Sequence, residues 1–213
     1  MEQRGFALAL KRAIDVSVAG ALLVATAPLL AVASIAIAAT DGLPIVFQQP
    51  RPGRGGRPFT LLKFRTMRSS AAKEGLPQFD GERLTHVGKV LRSTSIDELP
   101  QLWNVLRGDM SLVGPRPLLM RYLHRYSPSQ ARRHDVLPGI TGWAQIHGRN
   151  SVSWDEKFAL DVWYVEHWSP WLDMKIIART AVSVVKRSGI SSDGHVTMSE
   201  FMGEAASRNG AHP

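Results

Sequence analysis

Two adjacent carboxylates, Asp97 and Glu98, stand in the stretch Thr94-Ser95-Ile96-Asp97-Glu98-Leu99-Pro100-Gln101. Apolar residues at helical spacing follow (Leu99, Leu102, Val105, Leu106), and Gly108 supplies a stop. The pattern predicts a helix whose first turn carries both acids. Two capping registers fit. Ser95 with Glu98 makes a Ser-x-x-Glu capping box; alternatively Asp97 is the cap, and Pro100 falls in the first turn, where a missing N–H costs little. In either register Asp97 lies at the positive end of a helix dipole, which favours an ionised carboxylate and attracts phosphate. Arg92 precedes the pair, and Arg107 and Arg116 follow it. An ionised carboxylate among cations that can hold phosphate oxygens suits covalent phosphoryl chemistry. The simpler account is that the two acids only cap a helix, since capping boxes are common.

The rest of the chain has to place these groups. Its 213 residues are enough for one domain with a real core, or one domain with an appendage. A net charge of +8 points to an anionic partner: a phosphorylated ligand, anionic lipid or nucleic acid. With no cysteine, disulfides and thiolate metal sites are excluded, which fits a reducing compartment. The phosphate loop Gly-x-x-x-x-Gly-Lys-Ser/Thr, His-Glu-x-x-His, Gly-x-Ser-x-Gly and Asp-x-Asp are all absent from the sequence.

Val16 through Thr40 carry no charge and are long enough to span a bilayer. Pro28 sits near the middle of the run. Lys11 and Arg12 flank it on one side, and Arg51, Arg54 and Arg57 on the other. A kinked span fits this pattern, because membrane helices tolerate proline. A helix broken at Pro28 that dips in and returns fits equally, because it keeps both basic flanks on one side. Ile45–Gln49 and Phe59–Phe64 read as strands joined by a Gly/Pro/Arg-rich turn, and residues 69–82 as a mobile surface loop. Arg116 is held between Pro115 and Pro117, which presents its guanidinium with little loss of freedom. Leu118 to about Arg133 reads as a helix with a basic face, and Pro138–Asn150 as a ligand-shaping loop. Two further helices follow, Ser153 to about Trp168 and Leu172 to Arg187. The cluster Trp163, Tyr164, Trp168 and Trp171 between them suits either a core or a water–lipid interface.

With these residues in view, the chain resembles the bacterial sugar transferase family of polyprenyl-phosphate phosphoglycosyl transferases, of the small monotopic type. The resemblance runs from about Lys11 to Gly189. It rests on Lys63-Phe64-Arg65-Thr66-Met67, on Arg92 with Ser95–Gln101, on Gly108–Pro117, and on Thr141-Gly142-Trp143-Ala144-Gln145. His147 departs from the asparagine usual in the family.

The resemblance implies transfer of sugar-1-phosphate from a UDP-sugar to undecaprenyl phosphate, with release of UMP, as an early membrane step of bacterial glycoconjugate assembly. It casts Asp97 as the nucleophile and Glu98 as its partner in holding magnesium (Mg2+) or handling protons. Arg92, Arg116 and Arg65 become the phosphate-binding residues. The implied fold is α+β, mainly helical with a small antiparallel β-hairpin. A re-entrant membrane hairpin (1–43, broken at Pro28), a catalytic domain with amphipathic interfacial helices (44–190) and a flexible tail (191–213) complete it. The protein would sit on the cytoplasmic face of the inner membrane, among its lipids. The rival reading is a membrane-tethered basic module that binds nucleic acid or anionic lipid without catalysis. No recognition motif with interleaved aromatics is present, so nucleic acid is not an expected partner.

Overall fold

The computed structural model describes residues 5–68, 83–148, 152–185 and 200–203. The fold is mainly helical, with two small two-stranded sheets. The apolar run forms one helix, α1 (Gly5–Asp41), of 37 residues, about 55 Å long at 1.5 Å per residue. Its backbone stays helical through Pro28, so the expected break into two arms is not observed. Packing carries the helix past the proline. Lys11, Asp15, Ala19, Leu23, Thr26, Leu30, Ala33 and Ile37, spaced three or four apart, form one buried or half-buried face, while Pro28 points outward. Thr26 donates to the Leu22 carbonyl (2.7 Å) and not to the Val24 carbonyl that Pro28 leaves without its N–H.

The basic residues before the apolar run are not free to meet lipid headgroups. Lys11 Nζ donates to Asp173 Oδ2 (2.6 Å) and to the Val113 carbonyl (3.1 Å). Arg12 donates to the carbonyls of Val105 (2.6 Å) and Leu106 (2.8 Å). Asp15 accepts from the Leu112 N–H (3.0 Å).

After α1 come β1 (Val46–Pro52) and β2 (Pro58–Phe64), antiparallel from Val46↔Phe64 to Pro52↔Pro58. The hairpin is the expected one, with strands that extend into the turn-rich stretch. The helices α2 (His86–Ser93) and α3 (Gln101–Arg107) flank the carboxylates, and β3 (Ser111–Val113) leads to Arg116. The helix expected over Leu118–Arg133 is instead three short pieces: a 3-10 turn at Met120–Arg125, α4 (Pro128–Ala131) and a 3-10 turn at Arg132–His134. Pro128 restarts the chain there, behind a capping box made by Ser127 and Gln130.

A second sheet has no counterpart among the expected elements. In it β4 (Gly139–Thr141) runs parallel to β3. A Cβ on Gly139 would lie 2.1 Å from the Gly114 nitrogen, so only glycine lets the two backbones meet. Gly139, within the expected ligand-shaping loop, therefore serves strand packing. After α5 (Trp143–Ile146), α6 (Trp154–His167) and α7 (Pro170–Val185) occupy nearly the expected spans.

The main core gathers Ala19 of α1, Leu61, Leu102, Val105, Leu112, Tyr164, Trp168 and Ile176. A second cluster joins Ala33 and Ile37 to Phe64 and Leu91. The four aromatics considered for an interface divide. Tyr164 and Trp168 are core residues that donate to Asp173, at 2.7 and 3.0 Å. Trp163 stacks on Trp143 with ring centroids 4.6 Å apart, and Trp171 is 80% exposed. Residues 200–203, within the tail expected to be flexible, are docked, with Phe201 buried among Tyr122, Tyr126 and Phe158. The expected loop at 69–82, and most of the tail, fall outside the described residues.

The Lys11–Asp173 pair ties α1 to α7 with both side chains nearly fully buried. Replacing Lys11 with methionine leaves Asp173 charged and buried, and is expected to cost about 3–5 kcal/mol. Thermal melting of the detergent-solubilised protein measures it.

Candidate active site

Between α2 and α3 the chain makes a 3-10 turn, Ile96–Glu98. Ser95, which enters it, has φ of 58°, alone among the described non-glycine residues in the left-handed region. Such a conformation costs energy and persists only where surrounding structure enforces it. Neither capping register forms. The Ser95 side chain makes no capping bond, and α3 follows Pro100 with no side-chain cap. Capping therefore does not account for the two acids.

The carboxylates differ sharply. Glu98 Oε1 accepts from Lys63 Nζ (2.7 Å) and from Arg116 Nη2 (2.5 Å); its Oε2 has only a 3.5 Å contact with Arg116 Nη1. Burial alone would raise the Glu98 pKa, but the charges and hydrogen bonds of Arg116 and Lys63 hold it well below the usual carboxylate range. Asp97 is 7% exposed. Among the described residues its carboxylate takes no hydrogen bond. Burial, then the neighbouring Glu98 charge, raises the Asp97 pKa against the opposing pull of Lys63, Arg92 and Arg116.

Each cation arrives from a different element. Lys63 comes from β2. A lone lysine between Leu62 and Phe64 in an apolar strand is the local signal that could mark it as a site residue, one not among those expected. Arg92, on α2, donates through Nε to Thr66 Oγ1 (3.1 Å), and α2 sits so close that a Cβ on Gly88 would lie 2.1 Å from the Thr66 carbonyl oxygen. Arg116 has its own carbonyl held by Arg133 Nη2 (2.7 Å), which also pairs with buried Asp161 (2.7 Å). Beyond Arg116 stands Arg51 of β1, expected as a basic flank of the apolar run and found here beside the charge cluster. Burial, then the charge of Arg116, lowers its pKa to about 10, and its Nη2 donates to Gln49 Oε1 (2.6 Å).

The structure does not bring Arg65 to the dyad. Its guanidinium turns to the end of α1 and donates to the carbonyls of Asp41 and Gly42 (2.5 Å each). Those carbonyls lack intrahelical partners, and a cation is favoured at that end of a helix. Arg107 lies at the far end of α3, 3.6 Å from Asp109. His147 bonds the Trp143 carbonyl through Nδ1 (2.9 Å). Among the described residues no group of three His, Asp or Glu is placed to hold a metal.

A family signature described as bacterial sugar transferase matches residues 6–187. The chain belongs to the bacterial sugar transferase family. It is 52% identical to the sugar transferase EpsL of Bacillus subtilis, over 91% of this chain and 96% of that protein. Against the UDP-glucose:undecaprenyl-phosphate glucose-1-phosphate transferase of Caulobacter vibrioides it is 44% identical, over 82% of this chain and 69% of the relative. The undecaprenyl-phosphate galactose phosphotransferase of Salmonella typhimurium is 37% identical over 84% of this chain, which spans 41% of that longer protein.

Any sugar transfer that uses the Asp97 carboxylate needs it ionised. Because its pKa is raised, the ionised form is lost as pH falls through a value above that of an ordinary aspartate, about 3.9. The acid limb of kcat/KM is expected above that value. Glu98→Gln removes the repelling charge and frees Lys63 and Arg116 to act on Asp97, so the limb should move to lower pH even as the rate falls. A pH–rate series on both proteins checks the direction.

Proposed function

We propose that the chain transfers sugar-1-phosphate from a UDP-sugar to undecaprenyl phosphate, releasing UMP and leaving undecaprenyl-diphosphate-sugar. The reactions named for the Caulobacter and Salmonella relatives support the reaction class. The observation that carries the mechanism is the contrast within the dyad: Glu98 is tied by two cations, whereas the adjacent Asp97 carboxylate is buried and, among the described residues, takes no hydrogen bond. A desolvated carboxylate without hydrogen-bonded partners is a better nucleophile than a solvated one.

Asp97 attacks the β-phosphorus. A bond forms from its carboxylate oxygen to phosphorus, and the bond from phosphorus to the bridging oxygen breaks, with UMP carrying that oxygen away. An oxygen of the lipid phosphate then attacks the phosphosugar-aspartyl group and returns Asp97 as carboxylate. Arg116 and Arg92 stabilise charge on the phosphoryl oxygens. Glu98 holds Arg116 and Lys63 in place. Magnesium fits this donor set as an ion shared with substrate, because Asp97 is uncommitted and Glu98 Oε2 keeps free acceptor capacity, while magnesium commonly binds through one or two carboxylates plus phosphates. Held by Asp97 and Glu98, it would neutralise diphosphate charge.

We also propose that α1 seats the protein on one leaflet, with both of its ends and the catalytic body on the cytoplasmic face. The helix is long and apolar enough to cross a membrane, and most of its apolar stretch is left uncovered by the rest of the fold. Its two ends are bonded to the same folded body, through Lys11 and Arg12 at one end and through the Arg65 bonds to Asp41 and Gly42 at the other. A straight crossing would put a core of about 30 Å between them. Single cysteines at residue 4 and in the 54–56 turn are expected to resist an impermeant thiol reagent in sealed cells. Labelling of the N-terminal site would overturn this seating.

Asp97→Asn is expected to fold and to lose nearly all UMP release from UDP-sugars in the presence of magnesium. With native protein, UDP-sugar and no lipid, a sugar-phosphate mass should appear on the peptide containing Asp97. Near-normal turnover in Asp97→Asn would refute the assignment.

A further inference from the structure

Glu200–Gly203 lie beyond the residues matched by the family signature, yet they dock on the segment that follows Arg116. Glu200 Oε1 receives Arg125 Nη1 (2.9 Å) and Arg121 Nε (3.1 Å). Arg125 Nη1 also donates to the Phe201 carbonyl (2.5 Å), and the Phe201 N–H donates to Tyr122 Oη (3.3 Å). The Phe201 ring is 4% exposed, stacked on Tyr126 (centroids 5.7 Å) and edge-on to Phe158 (4.9 Å). An unbroken series of contacts leads from there to the dyad. The Tyr126 hydroxyl accepts from Arg133 Nη1 (3.3 Å), Arg133 Nη2 donates to the Arg116 carbonyl (2.7 Å), and Arg116 holds Glu98.

We propose that Glu200 and Phe201 form a clasp that positions Arg116 for its work on substrate phosphate. The clasp rests on the reading of Arg116 given above. Two physical effects combine in it. Phe201 fills the space between Tyr122, Tyr126 and Phe158, so the Tyr126 hydroxyl stays aimed at Arg133. Glu200 neutralises Arg121 and Arg125, which would otherwise add to the positive charge already concentrated at Arg51 and Arg116. Glu200 and Phe201 are positioning residues: they act through Arg133 and Arg116 without touching the reacting atoms.

The test is a double-mutant cycle on the full-length protein in nanodiscs, read as UMP release, together with hydrogen exchange. Phe201→Ala is expected to lower kcat/KM for the UDP-sugar by about 10- to 100-fold, the scale of a small misplacement originating away from the chemistry. In an Arg116→Lys background the same change should cost much less, because the group being positioned is already lost. Hydrogen exchange at peptides covering 114–118 should quicken in Phe201→Ala while α1 and α3 keep native protection. Should Phe201→Ala fail to fold, Glu200→Gln runs the same cycle, with Glu200→Asp expected to recover most of the rate. Equal losses in both backgrounds, or unchanged exchange at 114–118, overturn the clasp. Native protein that releases no UMP from any UDP-sugar would instead overturn the functional reading, and the exchange measurement still decides the clasp.

Discussion

Burying the Glu98 carboxylate would be costly if it stood alone. Two cations offset that cost, Lys63 at 2.7 Å and Arg116 at 2.5 Å, and they come from separate segments of the chain. The β-hairpin supplies Lys63. The proline-flanked turn after β3 supplies Arg116. The strained turn at Ser95 places the acid that both must reach. Each of these segments is therefore held in register by the same charge cluster. Asp97, beside it in sequence, is buried next to a repelling charge, feels Lys63, Arg92 and Arg116 only at longer range, and takes no hydrogen bond among the described residues. The contrast between the two acids follows from the satisfaction of Glu98.

The membrane-length helix is part of this machinery. A helix that only anchored a soluble domain would contact it through a linker. Here α1 contributes Ala19 to the main core and Ala33 and Ile37 to a second one. Lys11 and Asp15 bond the backbone of β3, one turn of chain away from Arg116. Arg12 closes the end of α3, the helix that follows the dyad. Displacing α1 would disturb the strand and helix that carry the charge cluster. Membrane seating and site geometry are thus mechanically joined, which suits an enzyme class whose acceptor is a lipid.

Local patterns in the sequence were enough for several features. The hairpin, α6 and α7 and the apolar helix could all be read from periodicity and turn residues, and clustered charge pointed to Asp97, Glu98, Arg92 and Arg116, which the fold brings near one another. The family motifs added the chemistry expected of them. What misled was also local. A proline in an apolar run signals a break, yet packing along one face of α1 kept the helix whole. A Ser-x-x-Glu pattern signals a capping box, yet the turn at Ser95 took both acids out of capping positions.

Sequence by itself determined which residue types were available: two adjacent acids, the arginines around them, an uncharged stretch of membrane length, and strands too short to form more than small sheets. Tertiary structure alone decided their assignments. Arg65 and Lys63 stand two residues apart on β2 and its extension, and nothing local separates a phosphate ligand from a helix-end cap. The fold sent Arg65 to the free carbonyls of α1 and Lys63 to Glu98. Likewise β3 and β4 pair only because Gly114 and Gly139 approach across 25 positions of sequence. The physical reason is the same in each case. Hydrogen bonding and charge pairing act over a few ångströms of space, and the chain's order says little about which distant groups the packing will bring within that range.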